Sequence, residues 1–140
     1  MEKATFQILV VDDHEPWRRF VCSLLQKQAG LQVVGEATDG LEAIQKVTER
    51  KPDLVLLDIG LPNLNGLLTA KRIKQEVPGA KILFLTQLGD PDVIKAALSD
   101  GTCGFILKMD AASELLPAIE AILRGEKFVS RATEGLHPEG

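Results

Sequence analysis

Five short apolar runs, each followed by a stretch with helical periodicity, most constrain the fold of this 140-residue chain. The runs begin 25, 21, 28 and 23 residues apart, which leaves room for one helix and two loops in each interval. They are Ile8–Val11, Val33–Gly35, Leu54–Leu57, Ile82–Leu85 and Phe105–Leu107. Strands that alternate with helices pair in parallel and carry helices on both faces, so the pattern predicts a doubly wound α/β domain. The second run, extended over Gln32–Ala37, contains polar Gln32 and Glu36 and is predicted to form an edge strand.

The intervals between the runs carry apolar residues at helical spacing. In the first interval, Trp17, Val21 and Leu24 fall on one face of a predicted helix. The same period recurs over Leu41–Val47, Leu67–Val77 and Val93–Leu98. The last predicted helix spans Ala112–Arg124 and contains Pro117, which removes one backbone hydrogen bond from the helix.

Composition excludes several classes of protein. Acidic residues outnumber basic ones by 20 to 16, and this balance disfavours a dedicated nucleic-acid surface because phosphate binding needs clustered Lys and Arg. Cys22 and Cys103 are too few for a disulfide framework and lack the spacing of a zinc site. No apolar run is long enough to span a bilayer, so we expect a cytoplasmic protein without membrane contact. No linker or repeat divides the chain, which predicts one domain over residues 1–129.

Polar side chains follow four of the apolar runs at the point where each run ends. They are Asp12 and Asp13 after the first run, Asp58 after the third, Thr86 after the fourth and Lys108 after the fifth. In an open parallel sheet, ligands bind beyond the carboxyl ends of the strands. We therefore predict that these side chains converge on one edge of the sheet.

Three carboxylates, a hydroxyl and an ammonium group suit a divalent cation and a phosphoryl group. Carboxylates placed close together repel each other unless a cation joins them, and an all-oxygen ligand set without His or Cys is typical of Mg²⁺. A carboxylate can also attack a phosphoryl group while a metal ion and a lysine neutralise its oxygens. Helix capping explains any single Asp after a strand equally well, so the prediction rests on the five residues together.

Four segments carry a family resemblance. They are Leu9–His14 (LVVDDH), Asp53–Gly66 (DLVLLDIGLPNLNG), Leu83–Thr86 (LFLT) and Gly101–Lys108 (GTCGFILK). In order and spacing, these segments resemble the receiver domain of two-component response regulators over about residues 6 to 129. The resemblance implies a flavodoxin-like (βα)5 fold with strand order 2-1-3-4-5, in which the ends of the first, third and fourth strands lie side by side.

The resemblance implies a phosphoacceptor and its metal ligands. Asp58 matches the residue that takes a phosphoryl group from a histidine kinase. Asp12 and Asp13, together with Asp58, match the residues that hold Mg²⁺. The backbone carbonyl of Gly60 matches the remaining ligand that the protein supplies.

The resemblance also implies the residues that respond to phosphate. Lys108 matches the residue that pairs with the phosphoryl oxygens, and Thr86 matches the hydroxyl donor to them. Phe105 matches the aromatic position that changes rotamer when this threonine moves. Gly60 and Leu88 depart from the common pattern at the two positions that tune autodephosphorylation.

Three segments of the sequence are similar to the receivers of LuxR-type (NarL/FixJ-like) transcription regulators. They are Val10–His14, Val33–Ala37 and Phe128–Ser130. This similarity implies that phosphorylation controls transcription, that the phosphorylated form is a homodimer, and that DNA is bound only through a C-terminal helix-turn-helix domain missing here. We expect residues 130–140 to contain the start of the linker, with Glu139–Gly140 typical of a vector-derived scar.

Two other functional classes are compatible with parts of the pattern. A stand-alone receiver would act through protein partners or as a phosphorelay intermediate, and the length of the full gene distinguishes it. An enzyme on a flavodoxin-like or phosphatase scaffold is the third class, and the sequence disfavours it. Aspartate-dependent phosphatases place a second Asp two residues after the nucleophile, where this chain has Gly60. Flavodoxins hold phosphate with a Ser/Thr-rich loop after the first strand, and Asp12–Pro16 does not suit that role. At most, we expect self-phosphorylation from acyl phosphate or phosphoramidate donors and autodephosphorylation.

Several residues near the motifs are interpreted as structural. Trp17 is predicted to be a packed helix residue, His14 a loop residue beside the metal pocket, and Arg18–Arg19 a solvated helix face. Met109 stands after Lys108 where the family usually has proline. The sequence leaves open whether that peptide is cis, since a non-proline cis bond costs about 3 kcal/mol.

Overall fold

The computed structural model describes residues 5–87, 91–99 and 104–130. Within these ranges the strands are β1 (Phe6–Val11), β2 (Leu31–Ala37), β3 (Leu54–Asp58), β4 (Lys81–Thr86), β5 (Gly104–Leu107) and β6 (Phe128–Val129). The helices are α1 (Glu15–Gln26), α2 (Gly40–Arg50), α3 (Gly66–Glu76), α4 (Pro91–Ser99) and α5 (Ala111–Leu123), with a 3-10 turn over Lys108–Asp110. No helix in these ranges combines the length and apolarity needed to cross a membrane.

The strands form one parallel sheet in the order β2-β1-β3-β4-β5-β6. The predicted doubly wound fold and strand order are confirmed, and β2 lies at one edge as its polar residues indicated. The apolar pattern did not predict β6, which pairs with β5 through Gly104 with Phe128 and Phe105 with Val129. A two-residue strand is too short to show a periodicity in the sequence.

Alternate strand residues pack into two apolar cores, one on each face of the sheet. Leu9 and Val11 contribute to the core with α2, α3 and α4, whereas Ile8 and Val10 contribute to the core with α1 and α5. All five residues of β3 are buried, which explains why its sequence is apolar up to Asp58. Burial of each such Leu, Ile or Val side chain contributes about 1.5–3 kcal/mol to folding. The sheet is therefore a firm support for the polar residues at its carboxyl edge.

Ser130 attaches the chain after α5 to the sheet. Its backbone N–H donates a hydrogen bond to the Phe105 carbonyl at 2.8 Å, and its side chain is fully buried. The Ser130 hydroxyl lies 2.9 Å from Asp110 Oδ2 and 2.5 Å from Glu114 Oε1. Asp110 and Glu114 belong to the 3-10 turn and the first turn of α5. The end of the described chain is therefore joined to the segment that begins with Lys108.

Gly66 begins α3 where the backbone passes against the end of β3. A Cβ atom added at Gly66 would lie 2.3 Å from the Asp58 carbonyl oxygen and 2.5 Å from Ile59 Cα. Because these are backbone atoms, we expect Gly66→Ala to lower the free energy of unfolding by about 2–3 kcal/mol in urea denaturation. Gly79→Ala is the matched control, since a Cβ there meets nothing within 4 Å. Equal stabilities for the two variants would contradict this close approach.

Candidate functional site

The predicted carboxylates lie at the ends of neighbouring strands. Asp12 follows β1 directly and Asp58 is the last residue of β3, which pairs with β1. With Asp13 they form a group in which one carboxylate oxygen from each residue lies within 4.8 Å of the other two. Asp12 and Asp58 are only 2% and 7% exposed, whereas Asp13 is exposed. The structure thus brings together the three carboxylates that the sequence placed at this edge.

Backbone N–H groups hold one oxygen of each buried carboxylate. The His14 N–H donates to Asp12 Oδ1 at 2.8 Å, and the Gly60 N–H donates to Asp58 Oδ1 at 3.1 Å. Each donor lies two residues after its acceptor, so each loop orients its own carboxylate. His14 is an exposed loop residue beside the site, in agreement with its interpretation from the sequence.

Lys108 places one positive charge between the two buried carboxylates. Its Nζ atom lies 2.6 Å from Asp12 Oδ2 and 3.7 Å from Asp58 Oδ2, and its side chain is 13% exposed. The contact with Asp12 is an ion pair that lacks hydrogen-bond geometry, so Asp12 Oδ2 has no hydrogen-bond partner among the described residues. One ammonium group therefore faces three carboxylates, and their mutual repulsion is only partly offset.

Burial raises the pKa of Asp58 above its ordinary value, and the neighbouring charge of Asp12 raises it further. The Lys108 ammonium and the Gly60 N–H act in the opposite direction on this pKa. A raised pKa means that the folded protein binds this proton more tightly than the unfolded chain does. Ionisation of Asp58 consequently lowers the free energy of unfolding as the pH rises from the pKa of this group in the unfolded chain through its higher pKa in the folded protein.

The residues present fit a Mg²⁺ ion. Asp12 Oδ2 is a buried oxygen without a hydrogen bond, and it belongs to a cluster that offers carboxylate oxygens only. Hard cations such as Mg²⁺ prefer such ligands, and His or Cys ligands of zinc do not contribute to this cluster. Asp12, Asp13 and Asp58 would hold the ion, which would supply positive charge to the oxygens of a phosphoryl group.

Thr86 and Phe105 lie on the next two strands of the sheet. Thr86 ends β4, is buried, and lines the same cleft as Asp58 and Lys108. Phe105 is fully buried within β5 and is paired in register with Phe84. Its side chain belongs to the core formed with α4. Thr86 is thus a residue of the cleft lining, whereas Phe105 is a residue of the core.

The cleft at this edge has a volume of about 830 Å³. Its lining consists of Asp13, His14, Trp17, Asp58, Gly60, Thr86, Gln87, Lys108 and Met109. A Cβ atom at Gly60 would meet only Asp58 Oδ1, at 3.9 Å, so the cleft has room for a larger side chain there. The prediction for Leu88 lies outside the described residues. The Lys108–Met109 peptide is trans, as are the other described peptides.

Sequence reasoning missed two residues of α1 that reach this site. The Trp17 ring centroid lies 5.2 Å from Lys108 Nζ, in addition to the predicted packing of Trp17 in the core. Arg18 Nη1 donates a hydrogen bond to the Asp12 carbonyl at 2.9 Å. Arg18 Nε also pairs with Glu36 at 3.1 Å and its side chain is 15% exposed, so its interpretation as a solvated residue was wrong. The short loop between Asp12 and α1 was a usable signal, because it forces the first helical turn to lie beside the site.

A parallel α/β sheet that gathers carboxylates, a lysine and a threonine around one cleft defines a class, the phosphoacceptor domains of signalling proteins. Within that class, the chain belongs to the response regulator receiver domain family, whose sequence profile matches residues 8–120. This match confirms the family resemblance drawn from the four sequence segments.

Named relatives place the chain near LuxR-family receivers. It is 38% identical over 122 residues to the response regulator protein VraR of Staphylococcus aureus, covering 87% of this chain but 58% of that protein's length. A two-component response regulator of the LuxR family from Aurantimonas sp. SI85-9A1 is 33% identical, with a TM-score of 0.89 over 94% of each chain. The isolated receiver domain of RcsB from Salmonella enterica serovar Typhimurium, solved with the phosphomimetic BeF3-, is 25% identical with a TM-score of 0.89, covering 95% of this chain and 99% of that one.

Asp58→Asn should stabilise the metal-free protein at neutral pH. The amide keeps an oxygen for the Gly60 N–H but removes a buried charge that the neighbouring carboxylate repels, and Lys108 keeps Asp12 as its ion-pair partner. We expect Tm in EDTA to rise by a few degrees.

Millimolar Mg²⁺ should raise Tm for the unmodified chain more than for Asp58→Asn, because a ligand of the folded state stabilises by mass action. Thermal unfolding of both proteins with EDTA and with Mg²⁺ measures the two effects. A lower Tm of Asp58→Asn in EDTA would contradict the repulsion described above.

Proposed function

We propose that this domain is a phosphorylation-controlled switch in which Asp58 accepts a phosphoryl group from a histidine kinase. The observation that supports the proposal is the setting of the Asp58 carboxylate. This carboxylate ends a buried strand, and one of its oxygens lies within 4.8 Å of an oxygen of Asp12 and an oxygen of Asp13. Its Oδ2 atom lies 3.7 Å from Lys108 Nζ. The cleft therefore contains a nucleophile, ligands for a divalent cation and a group that neutralises phosphoryl oxygens.

In the proposed transfer, a carboxylate oxygen of Asp58 forms an O–P bond while the P–N bond of the kinase phosphohistidine breaks. The electron pair of that bond remains on the imidazole nitrogen, which takes a proton from solvent. Asp12, Asp13, Asp58 and the Gly60 carbonyl would hold Mg²⁺, whose charge offsets that of the phosphoryl oxygens. Lys108 Nζ, 3.7 Å from Asp58 Oδ2, needs only a short movement to pair with one of these oxygens.

Thr86 and Phe105 would transmit the conformational change that follows phosphorylation from the cleft to the core. We propose that the Thr86 hydroxyl donates a hydrogen bond to the phosphoryl group and that the Phe105 ring changes rotamer in response. Since Phe105 is fully buried, such a change requires its neighbours in the core to move. The Phe105 carbonyl accepts a hydrogen bond from the Ser130 N–H, so a backbone movement of β5 at Phe105 would also reach the end of the described chain.

We infer that the output is control of transcription through a DNA-binding domain that follows the receiver. The curated relative contains more chain than is matched here, and a related RcsB has been solved on a promoter with BeF3-. Under this proposal the receiver is residues 1–129, and residues 130–140 contain the start of a linker. The net charge of −4 supports DNA binding by the following domain rather than by the receiver. A stand-alone receiver or phosphorelay intermediate is the second candidate, and sequencing the flanking gene separates the two.

The lifetime of the acyl phosphate should depend on Gly60 and Leu88. Gly60 leaves open space beside Asp58, which favours access of water, whereas the apolar Leu88 side chain offers no group to orient that water. We therefore propose that the chemistry of the domain is limited to self-phosphorylation from acyl phosphate or phosphoramidate donors and autodephosphorylation. Its kinase partner would meet it in the cytoplasm.

Phosphate uptake should depend on the Asp58 carboxylate. With phosphoramidate and Mg²⁺, Asp58→Asn should abolish acyl phosphate formation because the amide is not a nucleophile. Asp13→Ala should reduce the rate by about 10-fold or more through loss of a metal ligand. Intact-protein mass spectrometry measures both.

Asp39→Asn is the matched control for these variants, because Asp39 caps α2 outside the cleft and Asn is an equally good cap. Its uptake should equal that of the unmodified chain. Undiminished uptake by Asp58→Asn would overturn the assignment of the phosphoacceptor.

Phosphorylation should favour a homodimer, as the dimeric state of related RcsB on DNA suggests. We expect sedimentation velocity to show a shift from monomer toward dimer when beryllofluoride and Mg²⁺ are added. Asp58→Asn should stay monomeric under both conditions, because it lacks the carboxylate that binds the mimic. A monomer of the unmodified chain in both conditions would contradict the prediction.

A further inference from the structure

Trp17 lies at the cleft, and the phosphoacceptor chemistry above leaves it without a role. It is the third residue of α1 and lines the cleft with Asp58 and Lys108. Its ring centroid lies 5.2 Å from Lys108 Nζ. A cation within about 6 Å of a ring centroid is attracted to the electron-rich face, and Trp is the strongest partner for this contact. The two side chains therefore interact directly.

The indole ring is the rigid member of this pair. Trp17 packs against the core that α1 shares with α5, and its ring centroid lies 5.3 Å from that of Phe20. Pro16 restricts the backbone immediately before it. Lys108, by contrast, carries its ammonium group on a flexible four-carbon stem. The ring consequently limits where the ammonium group can lie.

The ammonium group stands between two carboxylates, 2.6 Å from Asp12 Oδ2 and 3.7 Å from Asp58 Oδ2. Cation–π attraction depends less on angle than a hydrogen bond does, so Lys108 can move from Asp12 toward Asp58 while it remains beside the ring. Without the ring, the lysine gains access to water and to further rotamers. The ring thus keeps the ammonium group in the cleft during a change of partner.

We propose that Trp17 is a positioning residue for Lys108, and that its indole face holds the ammonium group where it meets a phosphoryl group arriving on Asp58. The role proposed for Trp17 is exerted through Lys108, the side chain that its ring contacts. The proposal rests on the proposed phosphoacceptor function for its consequence. The contact between the two side chains is observed independently of that function.

A double-mutant cycle separates this role from simple packing. The initial rate of phosphorylation by phosphoramidate is measured for the unmodified chain, Trp17→Leu, Lys108→Ala and the double variant. In each reaction an Asp58 oxygen bonds to phosphorus, the P–N bond breaks, and the nitrogen leaves as ammonia after taking a proton from solvent. We expect Trp17→Leu to lower the rate about 3- to 10-fold when Lys108 is present and less than about 2-fold when it is absent.

Two further variants control for the ring and for packing. Trp17→Phe keeps an aromatic face and should restore most of the rate. Leu24→Val alters a residue of α1 that packs against the same core as Trp17. It should reduce stability without changing the rate of phosphorylation.

Fluorescence tests the contact without phosphate. Trp17 is the single tryptophan and the chain contains no tyrosine, so the emission reports on this ring alone. Lys108→Ala should change the emission intensity, and Lys127→Ala, at an exposed position after α5, should not. Unchanged emission of Lys108→Ala would overturn the contact.

The outcomes separate the proposal from the function on which it rests. An equal loss of rate for Trp17→Leu in both backgrounds, or no loss in either, overturns the positioning role while phosphorylation of Asp58 still stands. Absence of phosphate uptake by the unmodified chain defeats the proposed function and the positioning role together. In that case the emission of Lys108→Ala still decides whether the two side chains interact.

Discussion

Repulsion between carboxylates at one edge of the sheet is the constraint on which the site depends. Asp12, Asp13 and Asp58 each place one carboxylate oxygen within 4.8 Å of the others, and two of these residues are almost fully buried. Charged groups are costly in such a setting unless an opposite charge accompanies them. Lys108 provides one such charge, yet the pKa of Asp58 remains raised. The remaining imbalance makes the cleft a favourable place for a divalent cation.

The rest of the fold holds this unfavourable arrangement in place and connects it to the end of the described chain. Two apolar cores fix the strands from both faces, and Arg18 binds the Asp12 carbonyl. Lys108 continues directly from β5, the strand that contains Phe105 and pairs with β6. Ser130 then bonds to both the strand and the turn after it. The cleft and the end of the described chain are therefore attached to the same rigid element.

Most of the fold follows from patterns that the sequence displays. Strands buried on both faces must be apolar along their length, so the apolar runs alone indicate how many such strands there are and where they lie in the chain. The order of the strands came from the family resemblance rather than from periodicity. The strand β6 was not predictable, because the two residues Phe128 and Val129 become a strand only through pairing with β5.

The sequence by itself determined which chemical groups meet at the cleft. Asp12, Asp58, Thr86 and Lys108 end buried parallel strands or follow them directly, and such strands all end at one edge of the sheet. Only the tertiary structure decided that Lys108 pairs with Asp12 at 2.6 Å and lies 5.2 Å from the Trp17 ring. Helical periodicity marks the residues of a helix that face the core. Helical periodicity does not indicate which side chains those residues contact in the folded protein. The contacts depend on how α1 packs against the end of β5, which is almost a hundred residues away in the chain.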